Sequence, residues 1–228
     1  MRERPEAQET NFSFSIALSS VMKLLFRTLF FLLSAGVFFV SCHSPNTETP
    51  AAAPPKDFHG IPPQGFGGDS VLNIQKNRWA APANYSAMSV ADIIALPHDI
   101  LTAIGNKARY TWSSAATNQA SASESKSVVV TGYIYAAKES SNESCNGDNN
   151  SYHDFHIWIT ASPGEDKSKA IITEATPFWK EQFSGWQLAA FEQLATQNAQ
   201  VRISGRIMWD EDHPEEIGST RASLWEVH

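Results

Sequence analysis

Acidic, imidazole and thiol side chains occur in two distant parts of this chain and could form a metal site together. Asp154 and His156 are two residues apart, a spacing that puts both side chains on one face of a strand. Asp210 and His213 lie in a polar segment further along, and Cys145 precedes the first pair. Carboxylate, imidazole and thiolate groups bind Zn²⁺, and the first two also suit Mn²⁺. The set predicts a divalent metal site if the fold joins the two segments.

A metal ion there could lower the pKa of a bound water and support hydrolysis of a phosphoester. The simpler alternative is that each Asp–His pair is a hydrogen bond and that residues 210–214 form a solvated turn. The sequence has no CxxC or HExxH zinc motif, no glycine-rich phosphate loop and no nucleophile elbow. It therefore assigns no reaction and favours binding over catalysis.

Aromatic and arginine side chains suggest a second possible binding site. Exposed aromatic rings on a small barrel stack on bases or sugars, and an arginine can clamp an anion. Packing of the rings inside the barrel is the alternative, as is an arginine bonded to a carboxylate of a neighbouring element. The residues concerned are Tyr133, Trp158, Trp209, Arg206 and Arg221.

Glu174 lies among apolar residues in a predicted strand. Its carboxylate could act as a general base. An ion pair with Arg202 or Arg206 explains it more simply, and we expect that pair.

Five strand patterns and one helix pattern position these residues. Alternating or β-branched apolar residues predict strands, and a stripe of apolar residues after Ser184 predicts a helix. The order β-β-β-α-β-β over residues 128–228 predicts a mainly β fold, a five-stranded, OB-fold-like Greek-key barrel with one helix between strands three and four. The predicted segments are strands Val128–Lys138, Asp154–Thr160, Ala170–Thr176, Val201–Ile207 and Ala222–Val227, and helix Gly185–Gln197.

In an OB-fold, the loop between strands one and two and the loop between strands four and five share one end of the barrel. Here those loops are Glu139–His153 and Asp210–Thr220. The predicted fold therefore brings Cys145, Asp154 and His156 towards Asp210 and His213.

Residues 58–127 are predicted to be short helices and loops packed on the barrel. Asp69 and Ser89 are candidate N-caps of helices, the first over Ser70–Arg78, and His98–Gly105 predicts one or two more turns. The Ser/Ala/Thr-rich segment Thr111–Ser127 is interpreted as a loop.

The first residues predict export and a lipid anchor. A basic start followed by an apolar run that is too short to span a bilayer indicates a signal peptide over residues 1–41. We expect translation to begin at Met22. Phe39-Val40-Ser41-Cys42 resembles a bacterial lipobox of the Bacteroidetes type, in which the cysteine is lipidated. The Pro/Ala/Thr-rich residues 42–57 then form a tether. We expect an outer-membrane lipoprotein that faces the periplasm or the cell surface.

Charge and cysteine content limit the partners. The formal net charge is −7, which disfavours binding to the phosphates of nucleic acids. The chain has two cysteines, so lipidation of Cys42 leaves Cys145 without an intramolecular disulfide partner. Cys145 is then a buried thiol, a metal ligand or a link to another protein. The expected partners are the membrane, through Cys42, and a small molecule or another envelope protein.

The chain also resembles a family of uncharacterised exported bacterial proteins, from about Gly67 to the end. The resemblance implies an OB-like fold that includes the preceding helices, implies no activity, and implies that the chain continues past His228. The matching residues are Leu72-Asn73, Lys76-Asn77-Arg78, Gly132-Tyr133, Asn142, Cys145, Asp154-Phe155-His156, Glu174, Pro177, Val201–Gly205, Asp210, His213-Pro214, Arg221 and Leu224–His228.

Overall fold

Six strands form the sheet of this protein in a computed structural model that describes residues 55–147 and 151–228. The predicted signal peptide, Cys42 and nearly all of the predicted tether lie outside these ranges. The strands are β1 (Ser86–Ser89), β2 (Ser127–Glu139), β3 (Phe155–Thr160), β4 (Ile171–Ala175), β5 (Gln200–Trp209) and β6 (Trp225–Val227).

Strands β2 to β6 close into a five-stranded barrel. β2 pairs antiparallel with β3 and β5, β3 pairs antiparallel with β4, and β5 pairs antiparallel with β6. A parallel pairing of β4 with β6, Thr173 opposite Val227, completes the ring. The predicted mainly β, OB-like barrel is therefore confirmed, and its helical insertion lies between the third and fourth barrel strands. The additional strand β1 runs parallel to β2 and was not predicted.

Six α-helices lie among the described residues. Asp69 caps α1 by accepting hydrogen bonds from the N–H groups of Val71 and Leu72, and Ser89 caps α2 in a capping box with Asp92, as the sequence predicts. The helices are α1 (Ser70–Lys76), α2 (Val90–Ile94), α3 (Asp99–Ile104), α4 (Ser114–Glu124), α5 (Pro177–Gln182) and α6 (Leu188–Thr196).

Two helix predictions are wrong. The segment interpreted as the loop Thr111–Ser127 contains α4, whose first turn is capped by Ser113. Ala116 and Ala120 are buried one turn apart, because alanine favours the helix and lets α4 approach its neighbours closely. The helix predicted from Gly185 begins only at Leu188, after a separate short helix, α5, which starts at Pro177.

One hydrophobic core joins the first helices to the barrel. Val90 and Ile93 of α2 are buried in the same cluster as Val128 of β2, and Trp225 of β6 is also in that cluster. No helix within the described ranges is both long enough and apolar enough to cross a membrane. The first helices thus take part in positioning the loops at the end of the barrel.

Candidate functional site

The loop after β2 and the loop after β5 approach each other at one end of the barrel. Burial raises the pKa of Asp212, and the charge of neighbouring Asp210 raises it further. The charge of Lys76 in α1 lowers the pKa of Asp212, and the charge of Glu143 in the first loop raises it. Side chains of both loops and of α1 therefore lie within electrostatic reach of one another.

Four ionisable side chains from four elements form the outer part of a cluster at this end. His156 of β3 and Glu174 of β4 are directly opposite each other in the antiparallel ladder, and His156 Nε2 lies 2.9 Å from Glu174 Oε1. Lys76 Nζ is 2.7 Å from Glu143 Oε2 and 3.5 Å from Glu174 Oε2. His156 Nε2 is also 3.7 Å from Glu143 Oε1. We call Lys76, Glu143, His156 and Glu174 the outer cluster.

Behind Glu174 the cluster continues into the interior. His228 Nδ1 is 3.3 Å from Glu174 Oε2, and its Nε2 is 2.9 Å from Glu226 Oε2. Arg221 Nη1 is 2.5 Å from Glu226 Oε1 and 2.8 Å from Asp210 Oδ2. This buried series links the outer cluster to the loop after β5.

The surroundings shift the pKa values of neighbouring carboxyl groups in opposite directions. Burial raises the pKa of Glu143, but the charge of Lys76 together with hydrogen bonds from His156 and Lys76 outweighs burial and lowers the pKa to about 2. Burial likewise opposes ionisation of Glu174, yet Lys76 and the two histidines hold its pKa well below the usual value. The pKa of Asp154 is instead raised well above its usual value by burial and by the charges of Glu143 and Glu174. The same surroundings thus favour ionisation of Glu143 and Glu174 and oppose ionisation of Asp154.

Several buried polar atoms of this region make no hydrogen bond. They are Asp154 Oδ1, His156 Nε2, Glu174 Oε2 and His228 Nδ1. Asp154 Oδ2, in contrast, accepts a hydrogen bond of 3.1 Å from Asn146. The last three of these atoms still belong to the ion pairs described above, whereas no ion pair within the described ranges includes Asp154 Oδ1.

The structure brings together part of the predicted metal-binding set. Asp154, His156 and Cys145 all occur in groups whose potential ligand atoms lie within 4.8 Å of one another, and Glu143 is common to these groups. The groups found among the described residues are Glu143/His156/Glu174, Glu143/Cys145/Asp154 and Glu174/Glu226/His228.

Asp210 and His213 do not join these groups, which corrects that part of the prediction. Asp210 forms an ion pair with Arg221, whose Nη1 lies 2.8 Å from Asp210 Oδ2. His213 precedes a 3₁₀ turn and its side chain is 46% exposed, with Nδ1 3.7 Å from Glu215. Both side chains therefore have partners or solvent that hold them away from His156.

The aromatic residues of the second predicted site are mostly interior. Trp158 is buried, its Nε1 donates to the carbonyl of Thr220 at 2.8 Å, and Lys167 Nζ covers its ring at 3.8 Å. Trp209 is buried against Trp225 in an edge-to-face contact at 5.0 Å. Both rings are buried, so neither is available for stacking on a ligand.

The other members of that predicted site have partners within the protein. Tyr133 is half-buried, with its hydroxyl 3.4 Å from Gln200 Nε2, and Arg206 donates to the carbonyl of Ala80 at 3.2 Å. Arg221 is buried and donates through Nε and Nη2 to Glu216 Oε2, at 2.8 and 2.7 Å. The alternative in which Arg221 bonds carboxylates is therefore the observed one.

The predicted pairing of Glu174 with Arg202 or Arg206 is wrong. The carboxylate instead lies between Lys76, His156 and His228. Glu174 lies on β4, where its side chain faces β3, β6 and α1. Arg202 and Arg206 lie on β5 opposite β2 and are therefore out of its reach.

The chemistry of this site has to be inferred from its own geometry. No protein-family model, curated protein or solved structure matches this chain. The resemblance to uncharacterised exported proteins consequently remains a prediction.

Sequence reasoning missed four members of the cluster, Lys76, Glu143, Glu226 and His228. Glu226 and His228 have the same two-residue spacing as Asp154 and His156, so a usable signal was present. Lys76 and Glu143 are 67 positions apart and meet only because α1 packs beside the loop after β2. No local pattern indicates that contact.

A cleft of about 240 Å³ opens near Asp154. Phe155 and Tyr152 contribute aromatic walls, and Lys180 and His153 contribute polar groups. Burial lowers the pKa of Lys180, while the carboxyl group of Asp154 acts to raise it, which places the cleft beside the cluster. The end of the barrel therefore combines a small open space with an unusual set of charges.

Proposed function

We propose that the protein is a lipid-anchored envelope protein whose OB-like barrel is a binding module for a small cationic ligand, taken up at the end formed by the loops after β2 and β5. The observation that carries the proposal is the outer cluster itself. Burying charges is expensive, and a buried ionic group is often no more stabilising than apolar residues of similar size. Strongly shifted pKa values gather at functional sites.

The balance of charge supports a cation as the ligand. Glu143, Asp154, Glu174 and Glu226 supply four carboxyl groups around one lysine, one arginine (Arg221, bonded to Glu226) and two histidines. Each carboxyl group must be ionised and compensated, or protonated, in this dry environment. A bound cation would supply the compensation.

The same charges argue against the hydrolase alternative. Hydrolysis of a phosphoester needs cationic groups that are free to hold the phosphate. Near the cluster, Lys76 is bonded to Glu143, and Arg221 is bonded to Asp210, Glu216 and Glu226. Binding is therefore the function we favour, and for nucleic acids we expect no association at physiological salt.

The membrane anchor in this proposal rests on Cys42 and on the signal-like residues before it. Expression in a bacterium that processes lipoproteins, with an alkyne-labelled fatty acid in the medium, tests it. We expect label on the mature protein and recovery in the outer-membrane fraction. The Cys42→Ser protein should carry no label and appear in the soluble fraction, and labelling of that variant would contradict the assignment.

The role of the outer cluster is tested by removing its ion pair without leaving a lone charge. Lys76→Met combined with Glu143→Gln does this, and we expect the free energy of unfolding to fall by less than about 1 kcal/mol or to rise, as for other buried ion pairs replaced by neutral groups. Denaturant unfolding measures it. A loss of more than about 3 kcal/mol would assign the cluster to the scaffold and overturn the binding proposal.

A further inference from the structure

We propose that Glu143, His156 and Glu174 bind a divalent transition-metal ion, with Zn²⁺ as the best fit, and that the ammonium of Lys76 leaves its present position when the ion binds. The inference rests on the binding function proposed above and names the ligand of the same site. It keeps only His156 from the set predicted from sequence, excludes Cys145, Asp154, Asp210 and His213, and adds Glu143 and Glu174.

The distances among the three side chains suit one shared ion. Two ligand atoms that each lie 2.0–2.2 Å from Zn²⁺ are about 3.0–3.6 Å apart at the usual coordination angles. His156 Nε2 is 2.9 Å from Glu174 Oε1 and 3.7 Å from Glu143 Oε1. One imidazole nitrogen and two carboxylate oxygens form a common donor set for zinc and leave room for a water molecule. The ligand atoms of all three side chains lie within 4.8 Å of one another.

The unpaired atoms of the site point to the same ion. Glu174 is 2% exposed and its Oε2 makes no hydrogen bond. His156 Nε2 lies 2.9 Å from Glu174 Oε1 and 3.7 Å from Glu143 Oε1, so both carboxylates approach the same imidazole nitrogen. A metal ion there would take the place of the proton on this nitrogen, which is released to solvent, and would bind the carboxylate oxygens as well. His228, 3.3 Å from the same carboxylate, lies behind it and fixes its orientation.

Exposure defines the side from which the ion enters. The side chains of Lys76, His156 and Glu143 are 11%, 12% and 18% exposed, whereas Glu174 is 2% exposed. The ion therefore approaches between α1 and the loop after β2, and Glu174 forms the base of the site. No comparable route serves the group of Glu174, Glu226 and His228, whose side chains are all at most 3% exposed.

Lys76 marks the place where positive charge is most favourable. Its Nζ lies 2.7 Å from Glu143 and 3.5 Å from Glu174, the two carboxylates that the ion needs. An ammonium and a divalent cation repel each other at such distances. The flexible stem of lysine allows its charged end to move to solvent when the ion enters.

Cys145 is not a ligand in this arrangement. Its Sγ lies 3.5 Å from Glu143 Oε2, and burial raises the pKa of the thiol well above the usual value. Cys145 groups with Glu143 and Asp154 and not with His156 and Glu174, so it lies outside the three side chains that would share the ion.

Titration of chelator-treated protein with ZnCl₂ by calorimetry is the direct test. We expect one equivalent to bind, and His156→Gln and Glu174→Gln each to weaken binding by more than about tenfold, since even the loss of an outer-shell partner costs 10–100-fold. His213→Gln is the matched control, a histidine at the same end of the barrel, and should bind as the native protein does. Absence of binding, or a loss confined to His213→Gln, would overturn the assignment.

Cobalt distinguishes the ligand sets. Co²⁺ in this site should give visible d–d bands without the intense near-ultraviolet band of a thiolate ligand, and Cys145→Ser should leave the spectrum unchanged. A thiolate band that Cys145→Ser removes would replace our ligand set with one containing Cys145.

Lys76→Met provides a readout that does not depend on losing a ligand. With the ammonium gone, zinc has no competitor, so its affinity should rise above that of the native protein. The thermal midpoint of this variant should fall in chelator and recover with zinc, with a larger difference than in the native protein. An affinity equal to or below the native value would contradict displacement of Lys76.

The two proposals fail in different ways. If the double replacement Lys76→Met and Glu143→Gln is well tolerated but the native protein binds no ion, the binding module stands and the metal assignment falls. If the double replacement unfolds the protein, the cluster belongs to the scaffold and both proposals fall.

Discussion

Asp154 and Glu174 show at the residue scale how the surroundings decide what a carboxyl group can do. Both are almost completely buried, and burial alone raises the pKa of each. Glu174 has Lys76 and two histidines beside it and is held in its ionised form. Burial and the charges of Glu143 and Glu174 raise the pKa of Asp154 well above its usual value. Of the two carboxyl groups, Glu174 therefore has the surroundings that better suit a bound cation.

Cys145 should be nearly unreactive in the folded protein. Burial raises the pKa of its thiol, and a higher pKa means less thiolate at any given pH, so alkylation is slow. Mass spectrometry after iodoacetamide treatment at pH 8 measures this, in a Cys42→Ser background. The same protein in denaturant should be labelled rapidly, and equal rates in both conditions would contradict the burial of this thiol.

Replacing Arg221 should be among the most damaging single changes. Arg221 is buried and compensates Asp210, Glu216 and Glu226, two of which are themselves buried. Arg221→Met leaves those charges without a partner, which costs about 3–5 kcal/mol of unfolding free energy. Urea unfolding measures the loss. Arg202→Met, at an exposed position on β5, should change stability by no more than about 0.5 kcal/mol.

At the scale of elements, β5 and the residues at the end of β6 approach each other closely. The N–H of Arg206 donates to the carbonyl of His228 at 2.6 Å, and the N–H of His228 donates back at 2.8 Å. A Cβ at Gly205 would lie 2.5 Å from the carbonyl oxygen of His228 and 2.6 Å from a methyl carbon of Val227. Only glycine permits this approach, and it holds His228 beside Glu174.

Gly205→Ala should therefore destabilise the protein by about 1–3 kcal/mol, as expected for overpacking against backbone atoms. Thermal or denaturant unfolding measures the change. Gly185→Ala is the matched control, because a Cβ there meets no atom within 4 Å and should leave stability nearly unchanged. Equal effects of the two substitutions would contradict the close approach of β5 and β6.

The elements that could be predicted from sequence are those with a clear local period. Phe155, Ile157 and Ile159 alternate, and the helix caps Asp69 and Ser89 have their own signatures. Helix α4 was not predicted because its serine and alanine residues give no apolar stripe. Strand β1 was not predicted because it is only four residues long. Local patterns also cannot fix which residues of two strands face each other.

That limit explains why His156 alone of the three proposed ligands was among the predicted metal-binding residues. Asp154, His156 and Cys145 were recognised by type and spacing, and the barrel order placed their loop correctly. The partner of His156 depends on the register of β3 against β4, which puts Glu174 opposite it. Lys76 depends on the docking of α1, a contact between distant parts of the chain that no short motif encodes.

At the scale of the molecule, the helices before β2 and the barrel form one folded unit. Arg109 bonds the carboxylates of Glu124 and Glu211, and its guanidinium also donates to the carbonyl of Trp209. Arg78 donates to the carbonyls of Glu124 and Ile207, at 2.8 and 2.9 Å. These contacts join α1, α4 and β5 across the whole fold.

A fragment of residues 127–228 should therefore fail to fold cooperatively. Without α2 and α4 it exposes the apolar side chains of β2 and β6, and without Arg109 it leaves Glu211 buried and uncompensated. Circular dichroism during urea unfolding, compared with a fragment of residues 55–228, measures this. A steep transition of the shorter fragment would show that its strands suffice.

The position of Lys76 at the last turn of α1 couples the two ends of that helix. Asp69, which caps its first turn, also accepts a hydrogen bond from the backbone of Arg109, whose side chain reaches Glu211 beyond β5. Asn77, which caps the other end of α1, donates to the carbonyl of Cys145 at 2.8 Å and so ties the helix to the loop after β2. If the ammonium of Lys76 leaves, both ends of α1 therefore stay anchored, and only one side chain has to move for the ion to enter.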